Sequence, residues 1–360
     1  MASMPFEDRT CVSERGVDRA SWLRLAEQGL FKLFSVDAID AIPERLDRSL
    51  EILDSLGRNR RLGLAFSAGA HLFAVMSVLR KFGTKAQCEQ WLGGLGDGQL
   101  IGAIAMAEPQ GSSDAFSMKT AARRVDGGYE ITGHKTYITN ACICNVSLVF
   151  ARDFESNKVI CALVKKGQAG FEVGPAIETM GLRDSDLGEF HLADCRVEDD
   201  AVIATGQRAK WAFMHAMEWE RGLILAPLAG LMHLQITECL RWAHERRQGN
   251  GTLYDLQAVR HRLADMQKRH HIVKAVLHNF VQLKKQGKNA FGDASLVKMI
   301  VSDAFLENSM DAMKLQGAHG FTMASMSQQD LRDAMAFQMA SGSTDIQKNI
   351  AVEWLSQGYA

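Results

Sequence analysis

Five prolines occur among the 360 residues, and none lies beyond Pro227. Proline removes a main-chain donor and clashes with the preceding helical turn, so the stretch behind Pro227 is free to form long, uninterrupted helices. From 211 onward, Phe213, Met217, Leu223, Leu228, Leu231 and Leu234 keep one apolar face. The spacing predicts helices over 211–246, 256–286 and 293–315, with shorter ones around Asp330 and Asp345. Between Leu100 and Val202 the period is that of strands. Tyr129-Glu-Ile-Thr-Gly133, Val146-Ser-Leu-Val-Phe-Ala151, Val159-Ile-Cys-Ala-Leu-Val164, Phe171-Glu-Val173 and Phe190-His-Leu-Ala193 are short and rich in β-branched and aromatic residues, and Gly, Asp or Asn turn signals separate them. Upstream, Trp22, Leu23, Leu25, Leu30 and Leu33, then Leu50, Ile52, Leu53 and Leu56, repeat with helical spacing. The order predicts an α+β chain in three parts: an N-terminal helical domain over 1–98, a middle β-barrel domain over 99–205, and a C-terminal four-helix-bundle domain over 206–360.

Charge excludes whole classes of partner. Lys plus Arg (41) and Asp plus Glu (42) nearly cancel, so no field favours nucleic acid or an anionic membrane surface. No apolar run approaches the roughly 20 residues of a membrane span, and no basic-then-apolar leader opens the chain. A soluble, unprocessed, cytoplasmic protein is expected, acting on a small molecule or another protein. The seven cysteines are scattered without a Cys-x-x-Cys pair, which suits a reducing compartment. Among the eleven histidines no metal-ligand spacing occurs, so no metal site is expected. A Gly-x-Ser-x-Gly elbow for a serine nucleophile is also missing. Gly93-Gly-Leu-Gly-Asp-Gly98 follows a helical pattern and precedes a strand, the reverse of a dinucleotide loop, and reads as a flexible linker. Arg58-Asn-Arg-Arg61 reads as a solvated turn between helices in preference to a phosphate site.

Two polar motifs stand out in the middle part. The first is Met106-Ala-Glu-Pro-Gln-Gly-Ser-Ser-Asp114; after a turn at Asp126-Gly-Gly128 comes Gly133-His-Lys-Thr-Tyr-Ile-Thr-Asn140. In that order they resemble the acyl-CoA dehydrogenase family, whose members carry Thr-Glu-Pro-x-x-Gly-Ser-Asp and Gly-x-Lys-x-Trp-Ile-Thr-Asn. The resemblance extends over nearly the whole chain and is weakest before Ala65, where the family's N-terminal region is usually longer. Gly181-Leu-Arg-Asp-Ser-Asp186 is similar to its Gly-x-Arg-x-Ser loop. Glu245-Arg-Arg-Gln-Gly-Asn-Gly-Thr-Leu-Tyr-Asp-Leu-Gln257 with Leu263-Ala-Asp-Met266, and Leu315-Gln-Gly-Ala-His-Gly-Phe321, resemble later family segments.

The resemblance implies a flavoprotein that binds FAD. An acyl thioester desaturase needs a carboxylate base beside the α-carbon and an acceptor for hydride from the β-carbon, which no side chain can be. Family positions place Met106, Ala107, Tyr137, Ile138 and Thr139 beside the flavin ring, Thr139 donating to its reactive nitrogen. Ser113 would meet the pyrophosphate and lie near the substrate. Arg247 and Gln257 would reach the flavin of a neighbouring subunit, and Gln316, Gly317, Ser343 and Asp345 would complete the cofactor site. Ala107 stands where the family has Thr, Tyr137 where it has Trp, and Gly249 where it has Phe.

The base is the informative departure. Most members place a Glu before the Gly of a C-terminal Tyr-Glu-Gly-Thr run, where this chain has Met339-Ala-Ser-Gly-Ser343, with Ser341 at the Glu position. A serine hydroxyl without a partner base is too weak for the task. Isovaleryl-type members carry the base on a helix just before an Arg, and Glu218-Trp-Glu-Arg-Gly222 puts Glu220 there. Apolar surroundings would raise its pKa towards that of a general base, and Arg221 would hold the substrate's carrier arm or fix the loop. The implied activity is α,β-dehydrogenation of an acyl thioester on coenzyme A or an acyl carrier protein, with a protein electron acceptor and a homodimer or homotetramer. A flavin monooxygenase on the same scaffold, or a catalytically silent binding relative, are the alternatives.

Overall fold

The computed structural model describes residues 16–35, 42–111 and 114–357. Five helices come first: α1 (Arg19–Glu27), α2 (Ile42–Arg58), α3 (Leu62–Gly69), α4 (Ser77–Phe82) and α5 (Lys85–Gly96). Strands follow: β1 (Gly102–Ala105), β2 (Ala121–Val125), β3 (Gly128–Thr139), β4 (Val146–Asp153), β5 (Lys158–Lys165), β6 (Phe171–Val173), β7 (Leu187–Glu198) and β8 (Val202–Thr205). The chain then returns to helix in α6 (Gln207–Leu223) and α7 (Pro227–Glu245), crosses a small hairpin, β9 (Arg247–Gln248) and β10 (Gly251–Thr252), and ends in α8 (Gln257–Lys285), α9 (Phe291–Gln316), α10 (Ala318–Phe321), α11 (Met326–Met339) and α12 (Thr344–Gln357).

The strands pair in the order β6-β7-β3-β2-β4-β5-β8, with β1 parallel to β4. The path has ends at β6 and β8, so by its pairing the sheet is open where the sequence suggested a barrel. β4 and β5 are buried along nearly their whole length, because one face packs on the other β residues and the other on α6.

The N-terminal and C-terminal helices share one large core. At its centre lies the continuous segment Leu62–Phe82, made of α3, a π-helical stretch over Ala70–Met76, and α4. It is long and apolar enough to span a membrane, against the sequence expectation, yet its apolar window is wholly buried in the protein. Burial of that kind marks a core helix. Close approach of α2 and α7 depends on missing side chains, since a Cβ on Gly57 would lie 1.8 Å from the Pro227 carbonyl oxygen and one on Gly230 would lie 2.2 Å from that of Asp54.

Three expectations are corrected. The segment 211–246 is not one helix: Pro227 has no N–H to give the Leu223 carbonyl, which accepts from Ala226 instead, and α6 ends there. Gly93, Gly94 and Gly96 belong to the last turns of α5, whose start is fixed by a Thr84–Gln87 capping box, so the glycine run is no linker. Arg60 is not solvated. Its guanidinium is almost buried and bonded to both Glu238 and Asp330, which pins the α2–α3 turn to α7 and α11, while Arg61 pairs with Asp18 and Asp184.

Candidate active site

The two middle motifs are held together by a buried ion pair. Lys135, fully buried on β3, donates to Glu108 Oε1 at 2.7 Å and to the Met106 carbonyl at 3.1 Å. Glu108 also accepts from the N–H groups of Lys119 and Thr120. Burial alone would raise this carboxyl, but the bonds from Lys135, Thr120 and Lys119 outweigh it and hold the pKa down to about 2. Burial pulls the Lys135 ammonium down to about 8 against the attraction of Glu108, so the pair stays ionised at neutral pH. The Thr136 N–H completes the clip by donating to the Ala107 carbonyl.

That clip sets the end of β3. The β3–β7 register shifts between Lys135 and Ile138, and Tyr137 at the bulge takes a left-handed φ of 56° with its ring 64% exposed. Such a conformation costs a non-glycine residue about 1–3 kcal/mol and persists only where the surroundings enforce it. Ile138 packs inside the β core, so only its backbone is available to a ligand. Thr139 is half-buried, and among the described residues no hydrogen bond uses its hydroxyl. Asn140 next to it donates to the carbonyls of Ser67 and Gly102, fixing the strand end on α3.

The carboxylates of Glu218 and Glu220 have different fates. Two residues along a helix turn a side chain about 200°. Glu218 Oε1 accepts from Lys284 and from the Ala290 N–H, while Lys284 lies over the Trp219 ring, a structural pair between helices. Glu220 is equally buried, at 7% exposure, but receives one bond, from the Ser341 hydroxyl to Oε1. Its Oε2 has no hydrogen-bond partner among the described residues. Burial pushes its pKa above the ordinary value, opposed by the Ser341 bond and by Arg221.

Arg221 shapes the opposite wall. Its Nε donates to the Ser341 carbonyl at 2.9 Å, its guanidinium lies over the Phe291 ring, and Nη1 is buried without a hydrogen-bond partner among the described residues. Burial lowers its pKa to about 10, which leaves it charged. Of its two expected roles, the geometry supplies the loop-fixing one. Ser341 itself has a left-handed φ of 57°, and Gln347 donates to the carbonyls of Ser341 and Gly342. A Cβ on Gly342, where φ is 91°, would sit 2.7 Å from Gln347 Nε2, so the loop needs glycine there.

The remaining predicted residues divide. Ser113 lies outside the described residues; its neighbour Asp114 caps the turn through Phe116 and Ser117. Arg247 and Gln257 are exposed on β9 and at the start of α8, and nothing among the described residues pairs with either side chain. Gln316 accepts from Ser325 at the end of α9, and Gly317 breaks that helix with a φ of 61°. Ser343 precedes α12, and exposed Asp345 pairs with Lys348. A surface cavity of about 440 Å³ lined by Trp22, Gln99, Ile101 and Cys142 shares no residue with this site. Sequence reasoning missed Glu108 and Lys135 as the clip, although both stand inside the quoted motifs; a buried charge at each motif was the signal.

Comparison with known proteins gives the frame. The family descriptions Acyl-CoA dehydrogenase, middle domain, and Acyl-CoA dehydrogenase, C-terminal domain, match residues 103–195 and 210–356. An L-prolyl-[peptidyl-carrier protein] dehydrogenase of Pseudomonas fluorescens is 30% identical over 293 residues, covering 80% of this chain and 77% of that protein. The chain belongs to the acyl-CoA dehydrogenase family. A mitochondrial isovaleryl-CoA dehydrogenase of Oryza sativa subsp. japonica is 27% identical over 80% of this chain and 70% of its own length. The solved structure of PigA with FAD and proline superposes with a TM-score of 0.89 at 26% identity, covering 96% of this chain and 91% of that one. Membership makes the chain an FAD-dependent oxidoreductase acting on CH–CH groups of acyl thioesters. Its residues fit the cofactor, since the Thr139 hydroxyl and the Ala107 N–H are free of protein partners among the described residues and the Tyr137 ring is bare.

Proposed function

We propose that Glu220 is the base that removes the α-proton of a small acyl group carried as a thioester on a carrier protein. The observation that carries this reading is a buried carboxylate with one oxygen held by Ser341 and the other without a partner among the described residues. Desolvation makes Glu220 a stronger base than an exposed carboxylate, and the Ser341 and Arg221 contacts keep it ionised and aimed. Removal of the proton transfers it to Oε2, and the electron pair left on the α-carbon forms the new double bond as hydride leaves the β-carbon. FAD, when bound, supplies the acceptor for that hydride. Thr139 would hold the ring through its hydroxyl and Ala107 through its N–H, with Tyr137 covering it. The relatives named for a peptidyl-carrier protein substrate support a carrier in place of coenzyme A.

Exposed Arg247 and Gln257 suit a homo-oligomer in which they complete the FAD site of another copy, and reoxidation would fall to an electron-transfer protein. The test is anaerobic titration of FAD-loaded protein with prolyl-carrier protein, isovaleryl-CoA and butyryl-CoA. Bleaching by the carrier-bound thioester, lost in Glu220→Gln while FAD stays bound, is expected. Equal bleaching in the variant would remove Glu220 as the base, and bleaching by the CoA thioesters alone would replace the carrier.

A further inference from the structure

On the outer face of the sheet, His134 of β3 and His191 of β7 are directly opposed in the ladder, and their rings stack at 4.2 Å between centroids. Opposed residues share a face, as do residues two apart on one strand, so Glu189 of β7 stands beside them. Its carboxylate is divided between two tasks. Oε1 accepts from the Thr136 hydroxyl at 2.9 Å, while Oε2 lies 3.0 Å from His134 Nε2 and 3.7 Å from His191 Nε2. All three facing atoms lie within 4.8 Å of one another.

We propose that His134, Glu189 and His191 form a binding site for a divalent transition metal of the zinc type. Adjacent ligands around a tetrahedral zinc with bonds of about 2.0–2.2 Å stand about 3.3–3.5 Å apart, and the two separations from Glu189 Oε2 bracket that edge. Two imidazoles with one carboxylate select zinc, nickel or copper over magnesium or calcium. Thr136 serves as the outer partner that orients the carboxylate, the arrangement that fixes ligands in metal sites. The side chains are a third to a half exposed, so the metal has a path in, and the fourth position is left to water or to Glu172, which lies opposite His191 on β6. Lys135, adjacent to His134, faces inward to Glu108. A metal here would therefore cross-link β3 and β7 behind the strand that ends at Thr139. Glu189 and His191 are two apart on β7, but His134 lies over fifty residues upstream on β3, and only the strand register brings it to them.

The experiment uses the full, FAD-loaded chain without an affinity tag, stripped by chelator, and titrated with cobalt(II) and then zinc. One equivalent of cobalt giving visible absorption bands of a tetrahedral N/O site, displaced by zinc, is expected, with zinc raising the melting temperature. His191→Gln should weaken cobalt binding by at least about tenfold while melting like wild type in chelator. Should that variant fold poorly, Glu189→Gln provides the same reading. Absence of a stoichiometric site, or metal binding equal in wild type and both variants, overturns the proposal and leaves a His–Glu hydrogen bond only.

Discussion

Replacing Ser341 tests the base more sharply than replacing the base itself. In the folded protein the hydroxyl donates to Glu220 Oε1, and among the described residues no other donor reaches that carboxylate. A hydrogen bond to a charged group contributes about 1.5–3 kcal/mol, and 1.36 kcal/mol corresponds to one pKa unit. Removing it from a carboxylate already raised by burial should therefore raise the pKa by a further ~1–2 units. In its proposed role Glu220 acts as the ionised base, so activity is expected to fall as pH drops through its pKa. The acidic limb of kcat/KM in Ser341→Ala should accordingly move to higher pH by that amount, with the high-pH plateau kept. Below both limbs the variant would be about 10- to 100-fold slower. Ser341→Gly is the control for backbone strain, because glycine adopts the left-handed φ of this position without cost. Both variants should show the same limb. An unmoved limb in both, or a uniform loss of rate at all pH values, would refute the role of the hydroxyl as stabiliser of the charged base.

Lys135→Met leaves Glu108 buried without its cation and should destabilise the protein by about 3 kcal/mol in denaturant unfolding, with part recovered in the double variant that also carries Glu108→Gln. No recovery would mean that the pair is not coupled. The Glu108 carboxyl is lower in the folded than in the unfolded chain, so its stabilisation is complete above the unfolded value and is lost as pH falls towards about 2; wild type should lose stability across that window more steeply than Glu108→Gln. Arg247→Ala should weaken FAD binding by about tenfold, the loss of one charge-assisted hydrogen bond, without lowering the melting temperature of the cofactor-free protein; unchanged affinity would separate β9 from the cofactor.

What was legible in the sequence was local or carried by motif. The strand segments lie in β3, β4, β5, β6 and β7, since alternating and β-branched patterns are properties of neighbours in the chain. Glu220 stood out through the resemblance, just before Arg221 at the isovaleryl-type position, and Ser341 at the usual Glu position marked the place it faces. Illegible were the features made by distant partners. Arg60 looked like part of a solvated turn because its acids, Glu238 and Asp330, lie 178 and 270 residues away. The His134–Glu189–His191 cluster depends on register in the same way.

The least conspicuous segment in chemical terms does most to set the site. The Leu62–Phe82 helix carries none of the proposed site residues, yet it meets the ends of several elements that position them. Ser67 accepts from Asn140 at the end of the Thr139 strand and bonds the Ser185 hydroxyl. A Cβ on Gly69 would meet Ile224, just past the end of the Glu220 helix, at 2.9 Å. His71, held neutral because burial lowers its pKa to about 3, accepts from the Gly102 N–H through Nδ1, so Nε2 carries the proton and donates to the Leu95 carbonyl. One buried helix thus fixes the start of β1, the end of β3 and the end of α6 against one another. The placement of the Thr139 strand end relative to the Glu220 helix end therefore rests on contacts with that helix, so the proposed base can stand on α6 without any change in how the β3 motif is held.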